Sequence, residues 1–169
     1  MSDPATKQPA PDLYFEDIEV GARFDVPGRA LTEADLEQFA NISGDHHPIH
    51  TDEEYARTTI FGRRIAHGPL GVALAIGMFA KLREFHKATI AMTDIREWNF
   101  RAPVFIGDLL SLEVTIVAKR RRRDASGIVE RRIRLLKQDG TVAQEGLSGL
   151  LMACRTAGDA QVSDAELRS

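Results

Sequence analysis

Residues 68–85 read GPLGVALAIGMFAKLREF, and the fold turns on how this stretch is buried. Leu70, Val72, Ala73, Leu74, Ala75, Ile76, Met78, Phe79, Ala80 and Leu82 cover a helix with apolar groups nearly all round, so it must be enclosed on most faces. Pro69 falls in the first turn, where its missing N–H does no harm. The wider stretch from Ile65 to Leu82 is broken by His67, Pro69, Gly68, Gly71, Gly77 and Lys81, too often to span a bilayer. The enclosing surface is written downstream. Ile95–Phe100, Leu109–Ala118, Ile128–Lys137 and Val142–Ala153 read as strands, and in the second Leu112, Val114, Ile116 and Ala118 alternate with Ser111, Glu113 and Thr115. Gly107-Asp108, Asp124 to Gly127 and Asp139-Gly140 mark the turns between them. With a further strand over Arg23 to Leu31, the order predicts an α+β domain whose antiparallel sheet wraps the buried helix.

Upstream, a helix is expected from Thr32, its N-cap with Asp35 at N3, to about Ser43. Leu36, Phe39 and Ala40 share one face, and Gly44 closes it. Thr51 or Asp52 caps a short helical turn through Tyr55 and Ala56.

The chain has 169 residues, 43% apolar and 28% charged, an ordinary globular mix that can bury roughly 70% of its unfolded surface. A net charge of −3 argues against a generic nucleic-acid binder. Cys154 is the single cysteine, which excludes a disulfide within the chain and a cysteine-cluster metal site. Residues 1–11 read as an unstructured arm without an apolar signal core, 12–155 as one domain, and 156–169 as a loose tail. A cytoplasmic protein is expected.

The densest polar cluster is Ser43-Gly44-Asp45-His46-His47-Pro48-Ile49-His50, a loop between two helix signals. Asp45 and His50 stand five apart across a proline turn and can converge on one water, as general acid–base chemistry needs. By spacing alone, a turn-forming Asp beside surface histidines is as good a reading. In Ala66-His67-Gly68-Pro69 the exposed N–H groups of a helix start favour a developing oxyanion, a signal that every buried helix carries. A metal held by Asp45, His46, His47, His50 and His67 is not expected, because adjacent histidines cannot all face one ion.

Together these motifs resemble the MaoC-like, or (R)-specific enoyl-CoA hydratase, family. The resemblance is carried by Ser43-Gly44-Asp45-x-His47-Pro48-Ile49-His50, Tyr55-Ala56 and His67-Gly68. Phe15 to Gly21 and Phe100 to Asp108 support it. It implies a hot-dog fold, and reversible hydration of a 2-enoyl thioester of coenzyme A or acyl carrier protein with no cofactor beyond the substrate's own coenzyme A. It implies that Asp45 and His50 hold and activate water, while the Gly68 N–H polarises the thioester carbonyl. His47 replaces the family's usual loop-ordering Asn, and Ile76 replaces a serine that bonds to the dyad in some hydratases. With His67, these are the expected substrate-facing residues. A non-catalytic acyl-CoA-binding protein is the alternative. Thioester hydrolysis is less favoured, because Gly68 to Leu82 contains no carboxylate.

Lys119-Arg120-Arg121-Arg122-Arg123, with Arg131, Arg132 and Arg134 on the next strand, reads first as a solvated hairpin tip. The sharper reading makes Arg121, Arg122 and Arg123 a contact for coenzyme A phosphates. No aromatics are interleaved with the run, so nucleic acid is not expected. Open sheet edges, with Gly71 and Gly77 allowing close backbone approach, predict at least a homodimer with its active sites near the subunit boundary.

Overall fold

The computed structural model describes residues 11–155; the expected tail, and the expected arm apart from Pro11, lie outside them. After a 3₁₀ turn at Phe15–Asp17 come β1 (Arg23–Ala30), α1 (Glu33–Ser43), α2 (Pro48–Thr51), α3 (Glu53–Arg57) and α4 (Gly68–Phe79). A second 3₁₀ turn (Arg83–Phe85) leads into β2 (Thr89–Phe100), β3 (Leu109–Arg121), β4 (Ser126–Leu136) and β5 (Val142–Ala153). The five strands form one antiparallel sheet in the order β1-β3-β4-β5-β2, curled against α4 as in the hot-dog fold.

The local signals for α1 are met. Thr32 Oγ1 accepts from the Asp35 N–H at 3.3 Å while the Asp35 carboxylate accepts from the Thr32 N–H at 2.8 Å, a reciprocal capping box. Gly44 then ends the helix at φ +76°, a left-handed turn that its missing Cβ makes inexpensive.

The central helix is shorter than expected, stopping at Phe79 and not Phe85. The Lys81 and Leu82 N–H groups bond back to the Met78 and Phe79 carbonyls, tightening the last turn. That turn drops Phe85 into the core at 4.9 Å from the Phe24 ring and 5.0 Å from Phe79. The helix is also less enclosed than its sequence suggests. Leu70, Gly71, Ala75, Met78 and Phe79 are buried, whereas Pro69, Ala73, Gly77 and Ala80 face outward. The core closes against Leu110, Leu112, Val114 and Ile116 of β3, Val129, Ile133 and Leu135 of β4, and Leu150 and Met152 of β5. Each such side chain, fully buried, stabilises the fold by about 1.5–3 kcal/mol.

Strand alternation corrects one reading. Arg131 shares the inward phase of Val129, Ile133 and Leu135, and is buried at 3% exposure instead of joining Arg132 and Arg134 outside.

The two sheet edges differ. β1 carries Pro27 at a register break between Val26 and Arg29, which blunts it against further pairing. β2 is longer and exposes Ile90, Met92, Ile95 and Phe100. A bulge between Arg96 and Asn99, with Glu97 at φ +52°, leaves Trp98 partly buried against the core. Among the described residues no helix is long and apolar enough to cross a membrane.

Candidate active site

The loop after α1 is tied by its own side chains. Asp45 N–H donates to Ser43 Oγ (3.2 Å) and His47 N–H to Asp45 Oδ1 (3.1 Å), so the Asp45 carboxylate anchors the turn it sits on. His47 caps α2 by accepting the Ile49 N–H on Nδ1 at 3.2 Å. An Asn side chain would accept the same kind of N–H, so the departure at this position keeps the loop ordered. His47 is exposed, with its ring 6.0 Å from Tyr55 and 6.3 Å from His50.

α2 then delivers His50, whose Nδ1 lies 2.8 Å from the Ile65 carbonyl. A carbonyl only accepts, so Nδ1 carries the proton and Nε2 of the neutral ring is a bare acceptor. His50 Nε2 stands 4.0 Å from Asp45 Oδ2. The Asp45 side chain is 52% exposed and that of His50 12%. The N–H it accepts from His47 holds the Asp45 carboxyl below its ordinary range. Burial pushes the His50 imidazole below its usual value, against the opposing effect of the Ile65 carbonyl. Both groups are therefore acceptors at neutral pH, spaced for one water to donate to each.

His67, expected to face substrate, does not. It is 1% exposed, stacked 3.8 Å beneath the His50 ring at 27°, with Nε2 2.9 Å from the Asp45 carbonyl. It supports both members of the pair from below. Donor atoms of Asp45, His50 and His67 lie within 4.8 Å of one another. Imidazole lone pairs lie in the ring plane, however, and near-parallel rings cannot aim both at one ion about 2.0–2.1 Å from each nitrogen.

Gly68 opens α4, so its N–H has no acceptor within the helix. It lines a cavity of about 330 Å³ with His50, Ala66, Phe100, Pro103 and Gln144. The 100–108 stretch is shaped by Asp108, which accepts the Phe105 N–H at 2.8 Å and the Lys137 ammonium at 2.9 Å.

Gln144 is a site residue that the sequence reading missed. It is 3% exposed; Nε2 donates to the Gly68 carbonyl (3.1 Å) and Oε1 accepts from Trp98 Nε1 (3.1 Å). Gly71 leaves it room, since a Cβ there would come within 2.2 Å of the amide. The expected close approach at Gly71 is thus to the chain's own sheet, while Gly77 meets nothing within 4 Å. The available signal was parity, because Gln144 and Ser148 share the inward phase of Leu150 and Met152.

Two expected groups are not brought to this cavity within one chain. Ile76 lies about 12 Å further along α4, at 1.5 Å per residue, and lines a second cavity at the helix's other end. Arg121, Arg122 and Arg123 sit at the β3–β4 tip, beside the Ala153 end of β5. Gln144 is at the opposite end of that strand, about 30 Å away at 3.3–3.4 Å per residue. Arg121 pairs with Glu16 at 3.2 Å and Arg122 with Asp124 at 3.1 Å, as a solvated tip does.

Comparison with known proteins gives the family. A 3-hydroxybutyryl-CoA dehydratase of Methylorubrum extorquens is 37% identical over 65% of this chain and 69% of its own length. An (R)-specific enoyl-CoA hydratase of Aeromonas caviae is 30% identical over 79% of this chain and 95% of its own. Among solved structures, a monoamine oxidase regulatory protein from Archaeoglobus fulgius superimposes with a TM-score of 0.82 at 32% identity, covering 88% of this chain and 99% of that one. Residues 17–137, from the first 3₁₀ turn to the end of β4, match the family described as MaoC like domain, and the chain belongs to that family.

Proposed function

We propose that the protein adds water reversibly across the 2,3 double bond of an enoyl thioester, giving a 3-hydroxyacyl thioester. The observation that carries this is the pair of acceptors, Asp45 Oδ2 and the unprotonated His50 Nε2, 4.0 Å apart beside the Gly68 cavity. A water donating to both has its oxygen lone pairs directed away from them. As the oxygen bonds to C3, one proton passes to the dyad and from there to C2, so one water is consumed and no group is left over. Negative charge builds on the thioester oxygen, where the Gly68 N–H and the positive end of α4 stabilise it. The names of the relatives, a 3-hydroxybutyryl-CoA dehydratase and an (R)-specific enoyl-CoA hydratase, support the same reaction in its two directions. The chemistry is proton transfer on an activated acyl group, so the reading includes no cofactor beyond the coenzyme A or acyl carrier protein that bears the substrate. A cytoplasmic location is part of it.

The working unit in this reading is a homodimer paired through β2. Its outer side has no strand partner among the described residues, its apolar side chains are exposed, and Asp45 is half open to solvent. A two-fold antiparallel seam sets the Thr89 end of one β2 beside the Phe100 end of the other, so the cavity lined by Ile76 in one copy faces the His50 cavity of its mate. The test is purified protein with crotonyl-CoA. The enoyl absorbance falls and 3-hydroxybutyryl-CoA appears if the reading holds. Tight binding of acyl-CoA with neither change makes this a carrier and overturns it.

A further inference from the structure

The second cavity, at the C-terminal end of α4, holds about 380 Å³, room for roughly a dozen non-hydrogen atoms at about 30 Å³ each. Its wall is mostly aliphatic and aromatic: Ile76, Phe79, Leu82, Phe85, Met92 and Leu150. Arg131 lines it too. The guanidinium lies 4.4 Å from the centre of the Phe79 ring, and Nη2 donates to Ser148 Oγ at 2.8 Å. Nε is buried and has no acceptor among the described residues, and none of their carboxylates lies within ion-pair distance of the guanidinium. Asp94, the nearest influence of opposite sign, is engaged by Arg96 at 2.9 Å and by the Gly149 N–H at 3.1 Å. Burial outweighs that influence and pushes the Arg131 pKa down to about 10, so the cation persists at neutral pH in an apolar wall. His86, also on the wall, gives its Nε2 to the Ala80 carbonyl at 2.6 Å. A buried guanidinium with donors to spare fits a carboxylate, whose two oxygens match its fork.

We propose that this cavity binds an aliphatic carboxylate, its hydrocarbon chain among Ile76, Phe79 and Leu150 and its carboxylate on Arg131. The carboxylate has two candidate sources. It can be a free fatty acid, or the far end of a dicarboxylic acyl thioester reacting at the His50 cavity of the facing copy. The second source rests on the hydratase reading and the first does not.

Calorimetric titration of the full-length protein with octanoate, 1-octanol and octylammonium separates charge recognition from simple apolar filling. Octanoate should bind at least about tenfold tighter than octanol, with octylammonium weaker still. Octanoate should also shift the Met92 methyl resonance of ¹³C-methyl-methionine protein. In Arg131→Met, which keeps an unbranched chain over Phe79, the preference for octanoate should vanish. Equal binding of octanoate and octanol, no binding to the folded parent, an unmoved Met92 signal, or a preference that survives Arg131→Met would each overturn the site. Because the three ligands are compared on the parent, the titration is decisive even if the variant does not fold. A 2-enoyl-CoA with a terminal carboxylate is then compared with its methyl-ended counterpart. A higher kcat/KM for the carboxylated thioester, lost in Arg131→Met, identifies the acyl source; equal values, with octanoate bound, identify the free acid. Protein that binds octanoate selectively yet hydrates neither thioester keeps the carboxylate site and removes only the hydratase reading.

Discussion

The two ends of α4 face cavities of similar size, about 330 and 380 Å³, and the sheet sends a different kind of polar side chain to each. At the N-terminal end Gln144 uses both ends of its amide, on Trp98 and on the Gly68 carbonyl, and adds no charge. At the C-terminal end Arg131 has one bond, to Ser148, and a buried Nε with no acceptor among the described residues. Both polar partners, Gln144 and Ser148, come from the same inward row of β5. A saturated polar group fixes geometry, whereas an unsaturated charge leaves an interaction to be completed by something that enters. The amide at one end is satisfied and braces a helix terminus, while the cation at the other keeps a donor unused.

The most severe way to break the N-terminal end is to remove its dyad. Asp45→Asn and His50→Ala should each lower kcat for crotonyl-CoA hydration by about 10²–10⁴-fold, and the double variant should be little worse than either. Strictly additive losses in a kinetic cycle would mean that the two do not share one water. The pH profile sharpens the same point. Burial favours neutral His50, so its base form survives below the ordinary imidazole value of about 6.5. The acid limb of kcat/KM should therefore fall below that value, at about tenfold per pH unit. A limb centred above it would place the essential base elsewhere.

Gln144→Leu tests positioning. It strands the Trp98 N–H and the Gly68 carbonyl, which should lower stability by about 1–3 kcal/mol in thermal unfolding and reduce kcat more than it raises KM. Gly71→Ala should destabilise through the same contact by about 1–3 kcal/mol, since its Cβ would collide with the amide. Leu at 144 gives with less resistance than a bonded amide, so Gly71→Ala should cost less in that background.

The smallest effect is expected at the hairpin tip. Replacing Arg121, Arg122 and Arg123 with Ser should change stability by less than about 1 kcal/mol, as exposed ion pairs do. KM for coenzyme A thioesters should stay within about twofold of the parent. A several-fold rise at low salt that fades at high salt would instead put the tip against the substrate bound in a facing copy.

What could be read in advance was whatever local chemistry decides. The Thr32–Asp35 cap, the Gly44 stop, the β3–β4 and β4–β5 turns and the turn at Asp45 depend on neighbours within a few residues. His50 and Asp45 are also held by Ile65 and His67, and the Gly107-Asp108 turn joins strands that do not pair. The end of α4 escapes such a reading because a long-range contact, Phe85 on Phe24, draws the chain out of helix while the apolar pattern continues. Arg131 is hidden by its neighbours. Arg132 and Arg134 make it look like part of a surface patch, although Val129, Ile133 and Leu135 already set the inward phase. Ile76 is matched to the dyad only by the family resemblance, and within one chain a rigid helix places it two turns beyond Gly68.

Because β2 pairs with β5, not with a neighbour in sequence, the parts of the molecule become whole in an order set by synthesis. The Asp45–His50 loop, α4 and β2 leave the ribosome well before the strand that will hold them. The amide that braces Gly68 and the hydroxyl that meets Arg131 both arrive on the last strand. Until then a long strand with Ile90, Met92, Ile95 and Phe100 exposed stands bare on both edges, and the loop between β2 and β5 must close before either cavity has its full wall. A nascent chain stalled before Val142 thus holds the dyad but not the brace, and is at its most prone to mispairing. Competence waits for β5, and a protein clipped within that strand should return to the unfinished state rather than work at partial rate.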